Sequence, residues 1–272
     1  VPPPDEIEGF RRIYAPPGGR WPWPVYVGGD GPPVVLIHEV MGLTPPVLAF
    51  GRRLVEHGFT VYLPAVVGPV PATTLPQKML AAWRICVSRE INVLRTGATS
   101  PVVAPLRDLA RYAARAGGGS GVGVIGMCFS GGFALALAAD ERVLAGVVAE
   151  PALPFALPCV MPGHARDLGV SREDLDAVRD RLNSGDVEVY ATRFSADWIS
   201  PPARLRALRE ALGDKGLTVH EEPSGKGDPD FTWRDHSVLS MAPYAHSEPG
   251  PAHDRLMAAA DDVVAFLHRR LG

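Results

Sequence analysis

The chain has 272 residues, 46% of them hydrophobic, and a formal net charge of −3. That is enough apolar material for a large buried core, and the charge balance excludes the signature of a nucleic-acid or anionic-membrane binder. Gly (29) and Pro (28) are plentiful but follow no repeat, which points to a loop-rich globular protein and not to a fibrous or disordered one.

No apolar run approaches the ~20 residues of a membrane span. Val1-Pro2-Pro3-Pro4-Asp5-Glu6 lacks the basic n-region and apolar h-region of a signal peptide. Cys86, Cys128 and Cys159 have no CxxC spacing. Such a sparse, odd set suits a reduced, cytoplasmic setting better than a disulfide framework.

In chain order, Val34-Val35-Leu36-Ile37 is an apolar, β-branched run of the kind buried on both faces of a sheet. It ends in the loop His38-Glu39-Val40-Met41-Gly42. Pro46 to His57 carries apolar residues at helical spacing, with Gly58 as its C′ residue. Phe59 to Leu63 is a second strand, stopped by Pro64. The alternation then repeats: helix Val103–Arg115, strand Gly121–Gly126, helix Gly131–Asp140, strand Leu144–Ala149, strand Val187–Thr192, helix Pro202–Leu212, strand Leu217–His220 and a final helix His253–Leu271. Alternating strands and helices imply an α/β fold, a mostly parallel central sheet with helices on both faces. No linker divides the chain, so residues 1–272 read as a single domain. A small helical insertion is expected at about 158–185, and Pro223 to Pro251 reads as a long loop.

One turn carries chemistry. A buried strand runs into Gly126-Met127-Cys128-Phe129-Ser130-Gly131-Gly132 and then into a helix. This is the setting of a nucleophile elbow, where a strained residue sits on a tight strand-to-helix turn and small neighbours prevent collision. The following helix would aim its N-terminus at the thiol. The same pattern also suits a small buried cysteine, so the turn alone leaves both readings open. A phosphate cradle is weaker, because neither GxGxxG nor a Walker-type Gly-Lys-Ser/Thr is present.

An α/β-hydrolase orders its triad as nucleophile, acid, histidine. The acid belongs in a loop after a late strand, where Asp197 follows Val187–Thr192. A loop or capping aspartate would look the same. The histidine belongs between the last strand and the last helix, where His236, His246 and His253 all qualify.

Four segments taken together resemble the dienelactone hydrolase family. Val34 to Leu43 is similar to the family's strand that ends in a glutamate before an apolar-x-Gly. Gly126 to Gly132 resembles its Gly-x-Cys-x-Gly-Gly turn. Ser195-Ala196-Asp197-Trp198-Ile199-Ser200-Pro201 looks like its Asp-x-x-x-Pro acid loop, and His236-Ser237-Val238 like its His-Ser/Ala-Phe segment. The resemblance covers most of the chain, from about Val34 to the final helix. It implies an α/β-hydrolase fold, with Cys128 as nucleophile, His236 as base and then acid, and Asp197 as the residue orienting His236. It further implies that Glu39 contacts the Cys128 thiol and that the amides of Val40 and Phe129 form the oxyanion hole. Three positions depart from the family pattern. Ser130 stands where its first glycine would be. Leu63-Pro64-Ala65-Val66-Val67 lacks its aspartate. Ser240 occupies the place of the arginine that holds a substrate carboxylate. Arg84 and Arg89, near Trp83, are candidate cations for substrate binding, together with Ser237.

The reading is therefore a hydrolase that cleaves a small-molecule ester or lactone through a thioester on Cys128. No cofactor is called for. The eight histidines form no HExxH or comparable metal pattern. The expected assembly is a monomer or small homo-oligomer, without nucleic-acid or membrane partners. A lactone-forming, cyclising or acyl-transfer enzyme, or a non-catalytic binding protein on the same fold, would share these features.

Overall fold

A computed structural model describes residues 3–15, 21–87, 91, 95–119, 121–155 and 162–272. Its elements, in chain order, are β1 (Glu6–Ile7), β2 (Phe10–Ile13), β3 (Val25–Gly28), β4 (Pro33–Ile37), α1 (Pro45–Glu56), β5 (Thr60–Pro64), α2 (Leu75–Val87), α3 (Val103–Ala116), β6 (Val122–Met127), α4 (Gly131–Leu137), β7 (Val143–Ala149), α5 (Arg172–Ser184), β8 (Glu188–Phe194), α6 (Pro202–Leu212), β9 (Leu217–Glu222), α7 (Met241–Ala245) and α8 (Pro251–Leu271). The described strands form one sheet in the order β1-β2-β3-β5-β4-β6-β7-β8-β9. From β5 through β9 every pair is parallel, and β1, β2 and β3 extend the edge in antiparallel register.

Period-two alternation divides the apolar runs between two cores. Val35, Ile37, Val124 and Val189 face α3, α4, α5 and α6. Val34, Leu36, Ile125 and Val147 face α1, α7 and α8. This is the three-layer arrangement expected from the alternating elements. No helix among the described residues is long and apolar enough to cross a membrane.

The strands buried on both faces lie where the sequence puts them, to within a few residues. Other elements carried weaker signals. β2 (FRRI) and β3 (VYVG) are short edge strands, half-exposed in part, so their patterning is faint. The region expected as an insertion begins outside the described residues, at 158–161. Its later part forms α5, a charged helix that packs on α4 and α6. Ser171 caps it by accepting the Asp174 amide at 3.2 Å, and Gly185 ends it with φ +88°. Those are a serine N-cap and a glycine C-cap, both legible in principle. Within the expected long loop, residues 241–245 form α7.

The crossing of β6 and α4 fixes the position of Cys128. A Cβ on Gly126 would lie 2.2 Å from the Ser130 carbonyl oxygen, and one on Gly132 2.7 Å from that of Leu168. Both obstacles are backbone, so neither can swing away. Gly126→Ala is expected to destabilise the protein by about 3 kcal/mol, the upper end of ordinary overpacking. Urea unfolding of the purified variant measures this.

Candidate active site

After β6 the chain makes a single tight turn over Cys128–Ser130 before entering α4. Cys128 has φ +56°, in the left-handed region. That conformation costs a residue with a Cβ about 1–2 kcal/mol. Ser130 supplies part of the compensation. Its Oγ accepts the Met127 amide at 2.9 Å and lies 3.0–3.1 Å from the carbonyls of Ile37, His38 and Met127. One hydroxyl proton can serve only one of these carbonyls at a time. The serine at the family's glycine position is thus small enough for the turn and also ties it to the end of β4. From the other side, the Ala152 amide donates to the Cys128 carbonyl at 2.9 Å.

Cys128 borders a cavity of about 390 Å³ together with Glu39, Val40, His236 and Ser237. Met41, Phe155, Ile199 and Met241 make much of its wall apolar, and Arg234 and Asp235 stand on its lining. Arg234 also stacks on the Trp233 ring, 5.0 Å from its centroid.

Asp197 lies in the loop after β8 and is almost fully buried. Its Oδ1 accepts the amides of Ile199 and Ser200 at 2.8 and 3.2 Å. Its Oδ2 accepts from His236 Nδ1 at 2.7 Å. Arg193, 1% exposed, braces this loop from behind by donating to the carbonyls of Ser200 (2.7 Å), Asp197 (2.9 Å) and Ser195 (3.2 Å), and it pairs with Glu221. Sequence reasoning missed Arg193. It directly follows the expected strand Val187–Thr192, and nothing in the sequence sets it apart from an exposed arginine.

The second nitrogen of His236, Nε2, is buried and makes no hydrogen bond of regular geometry. Burial opposes charge on the ring. The Cys128 sulfur, and then the hydrogen bond to Asp197, outweigh it and hold the imidazole well above its ordinary 6.5. The arrangement favours the protonated form of His236 beside the Cys128 sulfur. His246 and His253 lie elsewhere: His246 packs on the Phe231 ring at 5.4 Å, and His253 Nδ1 lies 2.9 Å from the His246 carbonyl.

Glu39 is buried at the end of β4, with its Oε1 accepting the hydroxyls of both Ser237 and Ser240. No hydrogen bond joins Glu39 to Cys128, although both border the same cavity. Val40 is on the cavity wall, and the Phe129 ring is buried between His38 and Phe133. Arg84 does not reach Cys128. It is exposed on α2 and borders a different cavity, with Trp23 and Val66. Arg89 lies outside the described residues. Among the described residues no group of three His, Cys, Asp or Glu could hold a metal ion.

Strand order and a nucleophile-type turn after β6 define an α/β-hydrolase fold. Residues 23–155, a stretch that contains Glu39 and Cys128, match the family model described as the dienelactone hydrolase family. None of the curated proteins matches the chain in sequence. Among solved structures, the chain is similar to a dienelactone hydrolase from Anabaena variabilis, with a TM-score of 0.59, 16% identity and coverage of 97% of this chain and 100% of that one. It is also similar to a dienelactone hydrolase-like promiscuous phosphotriesterase from metagenomic libraries (TM-score 0.57, 18% identity, coverage 97% and 98%). A cold-adapted esterase from an Arctic intertidal metagenomic library is a further neighbour (TM-score 0.52, 16% identity, coverage 92% and 88%). At these identities the likeness is one of fold.

His38 supports Glu39 and was not singled out in the sequence. It is fully buried; its Nε2 lies 3.3 Å from the Val67 amide and its Nδ1 2.6 Å from the Glu39 carbonyl. An amide can only donate, so Nε2 is the acceptor and Nδ1 carries the proton, which assigns a neutral ring. Burial lowers the His38 pKa from 6.5 to about 4, partly offset by the bond to Glu39. Between those values the unfolded chain takes up a proton that the folded chain refuses, so stability falls as pH falls. Wild type is expected to lose about 3 kcal/mol more than His38→Asn between pH 6.5 and 4, the equivalent of the shift at 1.36 kcal/mol per unit. Urea unfolding of both proteins across that range measures the difference.

Proposed function

We propose that this hydrolase cleaves an ester or lactone through a thioester on Cys128. The observation that carries the reading is the 2.7 Å bond from His236 Nδ1 to Asp197, residues 39 apart in sequence, with His236 and Cys128 bordering one cavity. Cys128 Sγ attacks the carbonyl carbon, and the amides of Val40 and Phe129 receive the developing oxyanion. The tetrahedral intermediate collapses with cleavage of the C–O bond, and His236 gives its proton to the leaving alkoxide. Neutral His236 then takes a proton from water as that water attacks the thioester. The acid product leaves and the thiolate–imidazolium pair is restored. Asp197 keeps the proton on Nδ1 and the ring in place throughout.

Glu39 sits at the edge of this chemistry with its Oε1 held by two hydroxyls. Its second oxygen, Oε2, is the one left for the thiol contact that the family likeness implies. Ser240, in place of an arginine, gives Glu39 a neutral partner. The apolar wall of Val40, Met41, Phe155 and Ile199 favours an apolar acyl group, with Arg234 and Asp235 on the same lining.

Cys128→Ala is expected to abolish hydrolysis of p-nitrophenyl butyrate. His236→Ala and Asp197→Ala are expected to lower kcat/KM on the order of 10²- to 10⁴-fold. A dedicated cyclase or a non-catalytic binding protein would leave that ester essentially untouched in the wild type as well. Iodoacetamide alkylation, followed by peptide mass spectrometry, is expected to modify Cys128 ahead of Cys86 and Cys159. Labelling of Cys128 no faster than of those two would overturn the thiolate reading.

A further inference from the structure

Glu150 follows β7 directly and takes no part in the chemistry above. It is fully buried, with φ +35°, a strained conformation for a residue with a side chain. Its amide donates to the Thr192 carbonyl at 2.7 Å, which pins the backbone to the end of β8. Its Oε2 accepts the Val238 amide at 3.3 Å, and its Oε1 is buried with no partner among the described residues. The charged groups acting on it are His236, Glu39 and Asp197. Burial raises its pKa well above the ordinary carboxyl value; His236 opposes this, and Glu39 and Asp197 add to it. Burial and the two neighbouring carboxyls thus disfavour its ionised form.

Its placement has a consequence for the histidine segment. Residues 236–238 belong to no helix or strand, so no ladder of backbone bonds holds them. Three consecutive residues are instead tied to three carboxyls on three different strand ends. His236 bonds to Asp197 after β8, Ser237 to Glu39 after β4, and the Val238 amide to Glu150 after β7. The first two bonds involve groups that the reaction charges or displaces. The third is a backbone amide on a buried carboxyl that takes no part in the proposed chemistry.

We propose that Glu150 is a positioning residue: a buried carboxyl that holds the Val238 amide and so keeps His236 in register between Asp197 and Cys128. The inference rests on the Cys128–His236–Asp197 reading. An acceptor is what the role needs, so the amide of glutamine should replace the acid.

The test compares Glu150→Ala, Glu150→Asp and Glu150→Gln with wild type in the full chain. It measures kcat and KM for p-nitrophenyl butyrate, the rate of Cys128 alkylation by iodoacetamide, and thermal unfolding. Glu150→Ala and Glu150→Asp, neither of which reaches Val238, are expected to lose kcat on the order of ten- to a hundredfold, the scale of a small misplacement of a catalytic group, with KM little changed. Their alkylation slows in parallel, and Glu150→Gln restores both rates. If the alanine variant fails to fold, the aspartate and glutamine pair carries the comparison. Lowered melting temperature with wild-type kcat and alkylation would overturn the proposal in favour of a purely structural role. A glutamine variant as impaired as alanine would overturn it in favour of an ionised acid. If Cys128→Ala still hydrolysed the ester, the functional reading would fail separately, and the alkylation rate, which needs no turnover, would still report on Glu150.

Discussion

Between Gly126 and the Ser130 carbonyl there is no room for even one methyl group, since a Cβ on the glycine would stand 2.2 Å from that oxygen. Strand β6 and helix α4 can meet this closely only because the contact is backbone against backbone. The chain between them has too few residues to turn in relaxed geometry, so Cys128 is driven to φ +56°. The same turn sets Cys128 where the core meets the cavity wall. Packing and hydrogen bonds hold the turn in that state. The Ser130 hydroxyl ties it to the end of β4, and the Ala152 amide ties it to the segment after β7. Because β4 leads straight into His38 and Glu39, the hydroxyl that steadies the turn also fixes its distance from the buried glutamate.

Around this turn the loops at the carboxyl ends of the strands are held by buried polar side chains. A buried loop leaves carbonyls without partners, and each such group costs free energy unless a donor reaches it. Arg193 meets three carbonyls of the Asp197 loop. Arg204, also fully buried, donates to the carbonyls of Pro151, Pro154, His164 and Asp167 at 2.6–2.8 Å. Burial lowers the Arg204 pKa to about 10, with Asp167, Asp197 and Cys128 opposing it. At that value the guanidinium remains charged at neutral pH, and its donors stay available. His38 serves the same end in neutral form, tying Val67 and the Glu39 carbonyl together.

Legibility followed burial. β4, β6 and β7 were readable because strands covered on both faces need continuous apolar runs, and little else in the chain has that form. β1 to β3 and α2 were not read. A short edge strand or a partly exposed helix is specified by its neighbours more than by its own pattern. α5 lies within the stretch where a small helical insertion was expected, but its charged sequence lacked the apolar stripe that would have set its bounds. At the site, Cys128 announced itself through the small residues its turn requires. Arg193, Arg204, His38 and Glu150 left no trace, because a polar residue destined for burial looks the same in sequence as one destined for solvent.

The sequence by itself determined the α/β alternation, the glycine-framed turn and the order in which a thiol, an acid and a histidine follow one another. All three are local or ordinal properties, set by side-chain size, periodicity and position along the chain. Tertiary structure decided which members of that order meet. It joined His236 to Asp197, put His246 and His253 elsewhere, gave Glu39 two serine hydroxyls as partners, and left Arg84 on a separate surface. The reason is that a bond between residues 39 apart depends on how the strand ends converge across the sheet, and no local spacing encodes that convergence.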